Sequence, residues 1–143
     1  MSTRSHIAKR NQDGTITSIY CHWDGYPEHN GVLLEKHYKD ESKLDSLLAT
    51  GNLSSLAPEI GDEPHDFNNA PDGICNFYGR DRKEKNQESS TLSDAAFKRM
   101  LGDSWAEYIY LFENGEWKYS HLGSNGNTSF NPLAPAIARY MNE

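Results

Sequence analysis

The segment that most constrains this chain's fold is AEYIYLFENGEWKYSHL, residues 106–122. Asn114-Gly115 is the pair a type I′ turn demands, because both central residues must take positive φ. A two-residue loop there sets Phe112 opposite Trp117, Tyr110 opposite Tyr119 and Tyr108 opposite His121. Side chains alternate along a strand, so all three pairs share one face. An aromatic ladder of this kind predicts a sheet face that something else must cover. The alternative use of such a ladder is as a stacking platform for nucleic-acid bases.

The rest of the chain supplies the cover. Residues 5–10 and 15–23 read as strands flanking Asp13-Gly14, a second two-residue hairpin signal. Leu33, Leu34, His37 and Tyr38 mark one face of a helix over residues 30–38. Asp40 can cap another helix over 41–50, with Leu44, Leu47 and Leu48 inside and Gly51 as its stop. Residues 58–73 hold Pro58, Gly61, Pro64, Pro71 and Gly73 and read as an irregular loop. A third strand is expected at 74–79, then a polar, mobile loop at about 80–90. Thr91 and Asp94 open a helix over 92–101 that buries Ala96, Phe97 and Met100. The tail forms a short helix with Ala136, Ile137 and Tyr140 inward. The expected fold class is a single α+β domain spanning 1–143. It has a mostly antiparallel sheet of about five strands, with helices packed on one face.

At 143 residues the chain has the usual length of one domain. It can bury well over half of its unfolded surface without metal or disulfide help. The net charge is −7. Sequence-independent DNA or RNA binding needs excess basic residues, so direct nucleic-acid binding is not expected. Acidity does suit a basic protein surface, including one that normally holds nucleic acid. Cys21 and Cys75 are too few for a disulfide framework and read as buried, reduced thiols in a cytosolic protein. The start, MSTRSHIAKR, has no apolar signal-peptide region, and no apolar run is long enough to cross a bilayer.

The densest chemistry lies in Tyr20-Cys21-His22-Trp23-Asp24-Gly25-Tyr26-Pro27. The expected hairpin register sets Ser5 opposite His22 and Arg4 opposite Trp23. Arg4, Ser5, His22, Asp24 and Tyr26 then meet at one end of the sheet. Arg80 and Arg82, from the basic run after the third strand, are candidates to join them around a phosphate. Cys21 cannot pair with its neighbour His22, which points to the opposite face; as a nucleophile it would need His6 across the hairpin. His6, His22, His29, His37, Asp24 and His65 show none of the tight spacings of a metal site, and His22 with Asp24 would supply only two ligands, so no metal or other cofactor is expected. There is no P-loop, GxGxxG or GxSxG motif.

Several of these stretches resemble a group of small accessory proteins encoded by phages and prophages. They are Met1-Ser2-Thr3-Arg4-Ser5, the run from Ser18 to Pro27, Leu33-Leu34-Glu35-Lys36-His37-Tyr38, Leu53-Ser54-Ser55-Leu56 and Tyr78-Gly79-Arg80-Asp81-Arg82. The resemblance covers most of the first 82 residues and returns at Glu107-Tyr108-Ile109-Tyr110-Leu111-Phe112. It implies a phage-related origin and the cytoplasm of a bacterial host; it implies no reaction. The expected function is stoichiometric inhibition of a host defence complex, in the manner of an anti-CRISPR protein, with no catalytic residue. The other reading is a small nucleotide- or phosphate-binding module, or an enzyme, built on Arg4, His22, Asp24 and Arg82.

Overall fold

In the computed structural model, residues 3–103, 106–122 and 130–141 are described. Met1 and Ser2 of the N-terminal motif and the last two residues of the tail helix lie outside them. The centre of the fold is β1 (Ser5–Arg10), which pairs antiparallel with β2 (Ile16–Cys21) on one side. On its other side it pairs parallel with β6 (Tyr108–Glu113). Beyond β2 lie β3 (Leu53–Ser55) and β4 (Asn76–Phe77); beyond β6 lie β7 (Glu116–His121) and β8 (Asn131–Pro132). A further strand, β5 (Ser90–Leu92), pairs with the first half of β2.

Among the described residues the sheet therefore has eight strands, not about five, and it is mixed, not mostly antiparallel: β1–β6 and β2–β3 run parallel. The extra strands are two or three residues long. Such pieces are too short to show a period, and they exist because the long hairpins offer them an edge. The expected third strand shrinks to β4, because Tyr78–Arg82 winds into a short helix, α3. The polar run from residue 80 thus opens inside a helix.

Helices cover both faces of the sheet, not one. On the front face Ile7, Ile19, Tyr110, Phe112 and Trp117 pack with Leu34 of α1 (Val32–His37) and with Leu44, Leu47 and Leu48 of α2 (Glu41–Thr50). Leu133 and Ile137 of α5 (Leu133–Ile137) close that side, while Ala136 is exposed. On the back face Ala8, Ile16, Ile109 and Leu111 meet Phe97 and Leu101 of α4 (Asp94–Gly102). The local signals for α2 hold: Asp40 caps it at the Ser42 N–H, and Gly51 ends it at φ 104°. For α4 the cap is Ser93, which accepts from the Ala96 N–H, in place of Thr91.

The second hairpin follows the expected register at all three aromatic pairs, with Asn114 at φ 53° and Gly115 at φ 76°. Tyr110, Phe112 and Trp117 are buried, and Tyr108 and Tyr119 are partly so. The ladder is core, and the base-stacking alternative has no open face to use. Trp117 Nε1 donates to the Tyr38 carbonyl at 3.3 Å and Tyr110 Oη to the Gly25 carbonyl at 2.6 Å, so each buried polar tip has a partner.

Candidate functional site

The first hairpin departs from its expected register by one residue. Ser5 pairs with Cys21 and His6 with Tyr20. The Gly14 N–H donates to the Asn11 carbonyl and the Asn11 N–H to the Thr15 carbonyl, with Gly14 at φ 87°. This is a three-residue loop in which Gly14 takes the left-handed bulge position, not a two-residue turn. The slip moves every side chain of β1 to a different partner.

Ser5 consequently lies on the front face, fully buried, where Asn30 Nδ2 reaches both Ser5 Oγ and Cys21 Sγ at 3.4 Å. Gly25 passes over it so closely that a Cβ there would lie 2.8 Å from Ser5 Cβ. Ser5 is thus a packing residue. Asp24 sits at φ 56° in the turn; its carbonyl accepts from the Asn30 N–H, and its carboxylate lies close enough to the Tyr26 hydroxyl to add to the effect of burial in raising that group's pKa. Asp24 and Tyr26 shape the turn and face each other, not Arg4.

Arg80 is also committed inside the protein. Nη1 donates to the carbonyls of Ile60 (2.8 Å) and Gly61 (3.0 Å), and Nη2 to that of Cys75 (3.2 Å). Nε and Nη2 grip Asp81, and the guanidinium lies 4.7 Å from the Phe77 ring centre. The Asp81 side chain is wholly buried. Burial opposes its charge, but hydrogen bonds from Arg80 and from the Phe77 and His65 N–H groups outweigh this, leaving its pKa below the usual carboxylate range. Arg82 is exposed over the Phe67 ring and 3.4 Å from Glu84.

What remains together is Arg4 with His22. One step beyond the Ser5–Cys21 pair, Arg4 lies across from His22 on the back face, and its carbonyl accepts from the Glu107 and Tyr108 N–H groups. Tyr20 completes the group, its hydroxyl 2.8 Å from His22 Nδ1. Desolvation first and the Arg4 charge second hold the His22 pKa below its ordinary value. His6 pairs with Tyr20, 5.9 Å between ring centres, and not with Cys21. The G1-bulge register of Asn11 to Thr15 is the signal that would have found the His6–Tyr20 pair.

Cys21 points away from His6, on the other face, and burial pushes its thiol up to about 12. A thiol so protonated is no nucleophile at neutral pH. Cys75 is likewise buried, with its pKa raised, and neither cysteine is in a disulfide. Among the described residues no three of His, Cys, Asp and Glu gather as a metal site, and no helix is long and apolar enough to cross a membrane.

The other feature that Arg80 creates is an acidic loop. Residues 59–74 close on themselves: the Glu59 N–H donates to the Gly73 carbonyl, the Cys75 N–H to the Glu59 carbonyl, and Glu59 bridges Ile74. Glu59, Asp62, Glu63, Asp66 and Asp72 are exposed on it. No Lys or Arg occurs between Lys43 and Arg80. Only Glu59 meets a cation among the described residues, Lys43 at 3.8 Å. The loop is pinned from beneath by Arg80, by His65 Nε2 to Asn76 Oδ1 (2.9 Å), and by Asn76 Nδ2 to the Phe67 carbonyl (3.1 Å). No family model matches the chain, nor does any curated protein or solved structure.

Proposed function

We infer that this is a phage-related acidic binding protein that acts by stoichiometry, covering a basic surface of a host defence complex that would otherwise hold nucleic acid. The observation that carries this reading is the pinned acidic loop. Like charges repel, so a chain free to move would spread Glu59, Asp62, Glu63, Asp66 and Asp72 apart. Here the loop backbone is tied to Arg80, Asp81 and Asn76 before any partner arrives. Fixed anions facing a cationic groove raise the association rate and need little ordering on contact. The phage origin and the anti-CRISPR-like role come from the sequence resemblance, and the chemistry of the partner comes from the loop.

The test is capture from bacterial lysate followed by competition. Wild-type protein should retain a nucleic-acid-binding host complex, weaken its hold as salt rises, and compete with that complex's own nucleic acid. A variant with Asp62, Glu63, Asp66 and Asp72 each changed to Lys should fold normally and lose the complex. Equal capture by the variant would overturn the reading.

A further inference from the structure

A second surface, at the ends of β1 and β2, has different chemistry. The β1–β2 register, carried one step past Ser5–Cys21, sets Arg4 across from His22, whose ring feels the Arg4 charge; Tyr20 is hydrogen-bonded to that ring, and Trp23 follows directly. Among the described residues Trp23 is the one large hydrophobic side chain left exposed, at 45%. The His22 ring meets it edge-on, 4.8 Å between centres and 89° between planes. No ion pair joins Arg4 to a carboxylate among the described residues, whereas Arg10 and Arg80 are both paired. When the Tyr20 hydroxyl donates to His22 Nδ1, the ring N–H of the neutral imidazole lies on Nε2.

We propose that this end of the sheet binds a nucleotide, its phosphate held between the Arg4 guanidinium and His22 Nε2–H and its base laid against the Trp23 indole. Arginine and an N–H donor side by side suit a phosphate's several acceptor oxygens. An exposed indole beside them offers the flat surface on which any base can stack. The net charge of −7 weighs against tracking a long phosphate backbone. A single nucleotide meets only the local charge, in which Arg4 stands next to Tyr20 and His22 while Asp24 and Glu107 lie in the neighbouring turn and strand start. The turn fixes the geometry: the Gly25 N–H donates to the Thr3 carbonyl at 2.8 Å and the Trp23 N–H to the Ser54 carbonyl at 3.0 Å. Such a nucleotide could be free or the end of a single strand, and the two share this recognition. The site is independent of the acidic loop.

The experiment is a titration of nitrogen-15-labelled protein, followed at the Trp23 indole N–H, which Trp23→Phe assigns. The probes are adenosine 5′-monophosphate, adenosine, inorganic phosphate and a short oligothymidylate. Adenosine monophosphate should shift the Trp23 signal more strongly than adenosine or phosphate alone. Arg4→Gln and His22→Phe, with unchanged melting curves, should each weaken binding by about tenfold or more. Tighter binding of the oligothymidylate would identify a strand end as the natural ligand, and equal or weaker binding a free nucleotide. The four-lysine loop variant should bind adenosine monophosphate as the wild type does. No shift with any nucleotide at millimolar concentration, or full binding by Arg4→Gln, would overturn the proposal.

Discussion

Arg80 uses all its N–H groups on protein acceptors and sits beside a carboxylate with no exposed side-chain surface. Replacing it by Ala would strand Asp81 as a buried, half-satisfied anion. Such losses cost about 3–5 kcal/mol, so Arg80→Ala should show a clearly lowered urea midpoint, with residues 59–74 the first to gain hydrogen exchange. His6 gives a pH signature. Burial lowers its pKa to about 4, against 6.5 for the free side chain. The unfolded chain therefore binds its proton first as pH falls. The stability His6 contributes by staying neutral is complete above about pH 6.5 and is lost progressively down to about pH 4, a loss on the order of 3 kcal/mol. His6→Gln should flatten that part of the stability–pH curve. Cys21 and Cys75 should resist a thiol reagent until the protein unfolds, and reductant should leave the melting temperature unchanged. Rapid labelling of native protein would contradict the burial of both.

At the scale of elements, the two hairpins make an instructive contrast. Trp117 is 2% exposed and tilted against Phe112 at 5.1 Å. Trp117→Ala should cost about 3–5 kcal/mol, measured by denaturant unfolding. That core was legible because Asn114-Gly115 admits essentially one turn type, and the turn dictates the pairs. Asp13-Gly14 is weaker, because Gly at positive φ serves a two-residue turn and a bulged three-residue loop equally well. The choice falls to Asn11, whose Nδ2 bonds Thr15 and Thr17 hydroxyls at 3.0 and 2.9 Å and steadies the wider loop. The error of one residue was enough to separate Ser5 from His22. Arg4 and His22 stay together in either register, and Tyr20 joins them through its hydroxyl. The role of Arg80 in holding the loop was not legible for another reason: its partners are mostly carbonyls, and backbone acceptors leave no trace in side-chain spacing.

For the whole molecule, the class of fold was readable and its topology was not. Helices and strands announce themselves locally through caps and periods, whereas the parallel pairing of β1 with β6 joins residues about a hundred positions apart. That pairing has a consequence in time. A chain emerging from the ribosome releases β1 about a hundred residues before β6, its parallel neighbour, exists. Ile7 and Ala8, buried on opposite faces at the end, have only the β2 half of their environment until then. Folding should accordingly be late and all-or-none, with ribosome-bound chains ending before residue 106 remaining sensitive to protease and chains extending past the β6–β7 hairpin becoming resistant in one step.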